Sequence, residues 1–382
     1  MSLPKLDKSL WGGTELDRLL LDIRERREEF EQQRFISHDI IERYKNVGIY
    51  RAFVPTQFGG DERTPVQFLQ LIETIASADG SAGWVASFGM NPAYLSALPH
   101  ETIAKVWANG PDVVFAGGIF PPKPAVRKDG GFLVNGRWQF GSGCMGASLI
   151  GVGIQPEVEG ALPRMAVLPR DKVTIDQNSW NVHGMTATGS FDLVVEDVVV
   201  PEEWTFVRGA PANLEGHFFN YPSLSLAAQV LSVTSAGVAR EALDLVYAMG
   251  GKRASVTGAP DIGDRQYVQT AVAKAEARLQ SARAFFYDAT EAAWDSILSH
   301  GEVPPLQTSM LRLSTSHLTH ECAEVTRAAY KLAGMTSAYY SHPLSRCFRD
   351  AHLATQHAFM GEITFQNAGA MLFGKQPLPG YL

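Results

Sequence analysis

The chain of 382 residues has only three cysteines, Cys144, Cys322 and Cys347. That is an odd number, too widely spaced for a disulfide framework, and it points to a reducing compartment. No apolar run approaches the roughly 20 residues that a bilayer crossing demands. The N-terminus, MSLPKLDKSLWGG, lacks the basic-then-apolar order of a secretory signal, so the expected location is the cytoplasm. Excess positive charge is missing too. Lys and Arg number 33 against 40 Asp and Glu, a net charge of −7, so neither nucleic acid nor an anionic membrane is an expected partner. There are no internal repeats and no low-complexity tracts. What is present, 45% hydrophobic and 19% charged residues, describes a globular chain long enough for two or three cooperative units.

Helical spacing governs the first third. Leu16, Leu19, Leu20, Ile23 and Phe30 line one face of a helix opened by Thr14, with Asp17 placed for a capping box. Further helices are expected over residues 39–47 and 66–78, the latter with Pro65 in its first turn. Asp79-Gly80 breaks that helix, and a mostly apolar one follows over residues 84–98, then a short one over 100–108. From Pro111 the period shortens. Runs rich in β-formers, separated by turn residues, predict a compact antiparallel barrel or sandwich. Within it, Asn135-Gly136 reads as a hairpin turn. Trp138 and Phe140 alternate onto one face with Ser142 in the same parity, and Gly141 and Gly143 leave room for a flat ligand to approach. From about residue 214 the chain is helical again. Long runs over 224–249, 265–298, 306–333 and 345–373 predict an antiparallel four-helix bundle. Small residues at Ala227, Ala228, Ser232, Ser235, Ala236 and Gly237 suggest close packing, including packing across subunits. The fold class is therefore α+β in three parts: helices over 1–112, a β-domain over 113–213 and a bundle over 214–382.

Two local signals fail on inspection. Gly151-Val152-Gly153 begins like a dinucleotide fingerprint, but Pro156 stands at the third glycine position and no helix follows. His317-x-x-His320-Glu321 invites a metal, yet nothing else matches the paired Glu-x-x-His motifs of a di-iron bundle. No metal is expected.

The helix–barrel–helix order, together with a set of ordered motifs, resembles the acyl-CoA dehydrogenase superfamily over essentially the whole chain. More closely it resembles the flavin-dependent monooxygenase branch, the oxygenase components of two-component aromatic hydroxylases. The residues that carry the likeness are Asp79-Gly80-Ser81-Ala82-Gly83-Trp84, Asn135-Gly136-Arg137-Trp138 through Ser142-Gly143-Cys144, and Gly184-Met185-Thr186-Ala187-Thr188-Gly189-Ser190. They continue with Val198-Val199-Val200-Pro201 and with Arg349-Asp350 followed by His357. No one of these is specific; their order is.

The resemblance implies reduced flavin (FADH2 or FMNH2) and O2 as reactants, with oxygen transferred through a flavin C4a-hydroperoxide. Trp138, Phe140, Gly141, Ser142 and Gly143 would lie along the flavin ring, with Ser142 in reach of N5. His357 would face the oxygen site, able to donate a proton or a hydrogen bond. Each has a bland counterpart: Ser142 satisfying a turn, His357 packed in the core. Where the dehydrogenases carry a glutamate base, this chain has Ala358 and Ala227, so α-proton abstraction from an acyl thioester is disfavoured. Where phenol-hydroxylating members carry a histidine, it has Asn91, which orients a ring N–H or O–H but takes no proton. That points to an electron-rich ring such as an indole. Trp84, Asn91, His183 and Met185 are the candidate substrate-binding residues. Arg253, Arg265 and Arg283 are candidates for flavin phosphate. The implied partners are a small aromatic substrate, a separate NAD(P)H-dependent flavin reductase and further copies of the chain, as a homotetramer or dimer. The alternatives are an acyl-CoA dehydrogenase-type oxidoreductase with another base, or a silent flavin-binding member of the fold.

Overall fold

The computed structural model describes residues 6–251 and 260–382. Its first part holds α1 (Thr14–Glu25), α2 (Arg27–Gln33), α3 (His38–Asn46), α4 (Pro65–Ala78), α5 (Gly80–Ala86), α6 (Pro92–Leu95) and α7 (His100–Val106). α1 buries Leu16, Leu19, Leu20 and Ile23, the face its spacing marks. It has no capping box: Gly13 precedes it without a side-chain cap, and Asp17 pairs with Lys8 at 2.5 Å. The box belongs to α4, where Thr64 and Gln67 satisfy each other's backbone N–H. Asp79 does more than break that helix. It caps α5 by accepting the Ala82 N–H at 2.9 Å. Residues 84–98 are not one helix, because α5 tightens into a 3-10 turn over Ser87–Met90 and α6 restarts at Pro92.

The β-strands are β1 (Phe115–Lys128), β2 (Gly131–Gly141), β3 (Leu149–Pro156), β4 (Arg164–Pro169), β5 (Thr174–Asp176), β6 (Phe191–Pro201) and β7 (Thr205–Val207). They form one seven-stranded sheet in the order β5-β6-β2-β1-β3-β4-β7. Turn spacing implied antiparallel pairing throughout, but β1 and β3 run parallel. The expected hairpin at Asn135-Gly136 is also displaced. β2 runs straight through that dipeptide, and the turn is made by Asp129 and Gly130, both at positive φ (49° and 78°). Asn135-Gly136 is instead a bulge, tied by Asn135 to Asp197 on β6.

The C-terminal helices are α8 (Ser223–Met249), α9 (Gln266–His300), α10 (Pro305–Ala333), α11 (Pro343–Ala354) and α12 (Glu362–Leu372). The small residues of α8 serve contacts within this chain. A Cβ on Gly237 would sit 2.3 Å from the Glu73 carbonyl of α4, and Ser232 donates to the Thr315 carbonyl of α10. The run over 345–373 is two helices with a break between them, and His357 lies in the break. No helix among the described residues is long and apolar enough to cross a membrane.

The three parts are joined at α11. Arg346 and Arg349 bind Glu31 of α2, while the buried Asp350 carboxylate accepts the Met185 N–H at 2.5 Å from the loop before β6. Burial and the neighbouring Asp79 push the Asp350 carboxyl from 3.8 up to about 7. The folded chain therefore holds an extra proton between those values, and stability falls as pH rises through that window. Asp350→Asn keeps the acceptor and removes the charge. Thermal melts should show wild type losing stability relative to the variant from about pH 4 to about pH 7. Parallel curves would refute the buried-charge account.

Candidate active site

Ser142 stands where β2 leaves the sheet. Just before it, a register shift between Trp138 and Gly141, with Phe140 at φ 65°, interrupts the strand's alternation. As a result Trp138 is fully buried and donates its Nε1–H to the Gly153 carbonyl at 2.8 Å. Phe140 is 63% exposed and meets Trp180 edge-on. The two rings do not share a face, and Trp138 is core, with no surface to offer a cofactor. Gly141 is also explained by packing, because a Cβ there would press on Leu193 and the Phe191 carbonyl at 2.8 Å. Gly143 turns at φ 74° and donates its N–H to Thr188.

The Ser142 hydroxyl belongs to a chain of three. Ser142 Oγ lies 2.6 Å from Ser190 Oγ, Ser190 Oγ lies 2.7 Å from Thr188 Oγ1, and Thr188 donates to the Met185 carbonyl at 2.8 Å. A carbonyl only accepts, so the Thr188 proton is committed to it. Ser190 must then donate to Thr188, and Ser142 to Ser190. The remaining capacity of Ser142 Oγ is acceptor only. Ser190 and Thr188 belong to the motifs that carry the family likeness, yet the sequence alone assigns them no role. Their i, i+2 spacing, which puts both side chains on one face, was the available signal.

His357 caps the short 3-10 turn Ala358–Met360, its Nδ1 accepting the Phe359 N–H at 3.2 Å. That fixes the tautomer, leaving Nε2–H as the outward donor. Burial, reinforced by the Arg208 charge, depresses its pKa from 6.5 to about 4, so the ring is neutral near pH 7. It is a hydrogen-bond donor and not a stored imidazolium.

The segment from Trp84 to Asn91 links these two centres. The Trp84 ring meets His357 at 5.8 Å in a T-shaped contact. A Cβ on Gly143 would touch Phe88 and Val85 at 3.5 and 3.6 Å. Asn91 is 1% exposed. Its Nδ2 donates to the Val113 carbonyl at 2.9 Å, and its Oδ1 is buried without a partner, as is the Trp84 Nε1–H. The structure thus brings Ser142, Trp84 and His357 into one neighbourhood, with Asn91 about two turns further along the same segment.

The other candidates are placed differently. His183 is exposed on its loop. Met185 is buried and pinned through its N–H to Asp350, its side chain packing toward Gly80. Both therefore read as packing or surface rather than pocket wall. Arg283 is committed to Glu73 of α4, and half-buried Arg265 donates to the Pro260 carbonyl. Arg253 lies outside the described residues. In the pattern on α10, His320 bonds the Met360 carbonyl and Glu321 pairs with Arg278.

A family model described as acyl-CoA dehydrogenase, C-terminal domain, matches residues 229–362. The chain is 56% identical over 378 residues to an indole-3-acetate monooxygenase of Pseudomonas putida, spanning 98% of this chain and 97% of that one. It is 30% identical over 356 residues to the flavin-dependent monooxygenase oxygenase subunit HsaA of Rhodococcus jostii, spanning 90% and 93%. The crystal structure of a Rhodococcus 3-HSA hydroxylase matches with a TM-score of 0.91 at 28% identity, covering 98% of this chain and 100% of that one.

Nitrogen-15 NMR of labelled histidine should find His357 neutral and protonated on Nε2 down to about pH 5. Because its pKa is lowered on folding, protonating it costs stability as pH falls from 6.5 toward 4. A midpoint near 6.5 in the folded protein would contradict the buried, donor-only assignment.

Proposed function

The chain belongs to the flavin-dependent monooxygenases built on the acyl-CoA dehydrogenase fold, and on that premise we propose that it oxygenates an indole carrying a short side chain, indole-3-acetate foremost. As an oxygenase component it uses reduced flavin and O2, and the reduced flavin comes from a separate reductase. We take that reductase to be NAD(P)H-dependent and this chain to act as a homotetramer, a reading supported by the exposed side chains of Met335, Tyr339 and Phe373.

When bound, reduced flavin supplies an electrophilic oxygen donor, and the protein's part is positioning and the exclusion of water. The residues present fit that cofactor in one testable respect. A Ser142 oxygen left with only acceptor capacity suits the N5–H of reduced flavin and disfavours the oxidised ring, whose N5 also accepts. The donors at His357 Nε2 and Trp84 Nε1 suit an oxygen-rich reacting centre.

One observation carries the substrate reading: the orphaned, buried Oδ1 of Asn91. Its amide nitrogen is already committed to Val113, so what it offers is an acceptor. A ring N–H matches that acceptor and relieves the cost of an unpaired buried group. Phenols gain most from becoming phenolate, and Asn91 cannot take their proton. Indole has an electron-rich carbon pair activated by its own nitrogen and needs only orientation. Ala358 and Ala227 supply no base for acyl-CoA oxidation.

With a generic flavin reductase, coupled product should form from indole-3-acetate or indole and poorly from simple phenols. Asn91→His should move the balance toward phenols. Efficient coupled turnover of a phenol with none from indoles would overturn the substrate reading and leave the monooxygenase assignment standing.

Ser142→Ala and His357→Ala should release peroxide instead of product, each lost hydrogen bond costing about 1–3 kcal/mol, roughly tenfold to hundredfold in the lifetime of the oxygen-bearing state. Ser190→Ala frees the Ser142 proton, so equilibrium binding should show a smaller preference for reduced over oxidised flavin. Unchanged coupling in both alanine variants would make these residues structural.

A further inference from the structure

Most charged side chains at the junctions of this fold have a counter-ion: Glu31 with Arg346 and Arg349, Glu73 with Arg283, Glu276 with Arg240, Glu241 with Arg27. Among the described residues, Arg208 and Arg312 do not. Arg208 follows β7 on the loop toward α8. Among the described residues it makes no ion pair, its guanidinium lies 5.2 Å from the Phe120 ring, and its Nε is buried without a partner. Arg312, on α10, is 7% exposed. Its Nη1 donates to the Tyr381 carbonyl at 2.8 Å, and its Nε is likewise buried and unpartnered. The Arg312 guanidinium lies between the Phe359 and Tyr381 rings, 5.3 and 5.2 Å from their centroids, and Phe359 in turn packs on His357 at 5.0 Å. Burial, with Arg208 adding to it, lowers the pKa of Arg312, and the Arg208 charge also reaches His357.

Two guanidiniums, each with a buried unpartnered Nε and neither in an ion pair among the described residues, leave positive charge unbalanced on this side of His357. Arginine's flat fork is suited to a carboxylate, and a bond between two ions is the strongest kind of hydrogen bond available here. Aromatic rings accompany both cations: Phe120 lies under Arg208, and from Arg312 the rings Phe359, His357 and Trp84 stand in successive contact. An acid attached to an aromatic ring would meet both features at once.

We propose that Arg208, with Arg312 behind it, is the subsite that receives the carboxylate of an aryl-acetic acid substrate, making this chain selective for an indole acid over neutral indoles. This rests on the substrate reading given above and goes beyond it by naming what reads the acid. Arg208 is the specificity residue. Arg312, held to the Tyr381 carbonyl, supplies a second charge from a fixed position.

The test is equilibrium binding of indole-3-acetate and its neutral isostere indole-3-acetamide to the full-length protein by calorimetry, for wild type, Arg208→Gln and Arg208→Lys. Arg208 holds no hydrogen bond among the described residues, so its replacement leaves the frame intact. Wild type should prefer the acid. Arg208→Gln should weaken the acid about tenfold to hundredfold and the amide less than about threefold, and Arg208→Lys should recover part of the difference. Equal weakening of both ligands would reduce Arg208 to packing on Phe120. No acid preference in wild type would also overturn the proposal. The competing anion is a flavin phosphate, tested by comparing reduced FMN with reduced riboflavin. If Arg208→Gln weakens only FMN, the subsite is for cofactor and the proposal fails. If wild type binds phenols and neither indole ligand, the preceding substrate reading falls, and this one with it.

Discussion

The arrangement depends on one buried contact, the Asp350 carboxylate accepting the Met185 N–H. Through it the C-terminal helices reach the sheet, and the neighbouring Arg346 and Arg349 reach Glu31 at the N-terminal end. Asp350 lies seven residues before His357, and Met185 gives its carbonyl to Thr188 at the foot of the hydroxyl chain. The same joint therefore sets both halves of the site. A carboxylate in that position is costly unless it is well satisfied, and its cost is spread over three parts of the chain that would otherwise slide against one another.

Around the joint, the polar groups divide by what they can do. Ser142 Oγ and Asn91 Oδ1 are acceptors; His357 Nε2 and Trp84 Nε1 are donors. None carries a formal charge at neutral pH, since His357 is held neutral by burial. The charges sit further out, on Arg208 and Arg312. On the proposed reading, neutral groups at the centre orient the substrate and charge at the edge reads its acid, an arrangement that suits a reaction whose reactive power is brought in by the cofactor.

Much of the frame was legible in the sequence. The change of period at Pro111, the long apolar-spaced runs after residue 214 and the ordered motifs located the three parts, and the helix of Leu16 to Ile23 followed its spacing. The failures lie where local chemistry overrode pattern. Parity joined Trp138 to Phe140 and Ser142, but a bulge reversed it, and a bulge leaves no periodic trace. Asn135-Gly136 was read as the turn, yet Asp129-Gly130, an equally strong hairpin dipeptide a few residues earlier, makes it. The break that frees His357 from a helix was hidden because residues 355–360 contain neither Gly nor Pro, and Gly361 comes only after the break. Thr355, bonded back to the His352 carbonyl, and the His357 cap end the helix there only through their side chains. Arg208 and Arg312 were invisible for a different reason. A missing counter-ion is a property of three-dimensional surroundings, and sequence does not record what is absent nearby.

Cys144 lies two residues beyond Ser142, in the turn where oxygen chemistry would be closest to a thiol. An enzyme that handles reduced flavin and O2 releases some hydrogen peroxide whenever transfer fails, and thiolates are what peroxide attacks. Cys144 is fully buried, its Sγ is turned to the Gly189 carbonyl, and burial pushes its pKa up to about 12. It stays protonated and shielded. Cys322 and Cys347 are buried with their pKa values raised in the same way. The few sulfhydryls of this chain are thus kept out of reach of its own by-product, giving the protein a built-in tolerance to imperfect turnover.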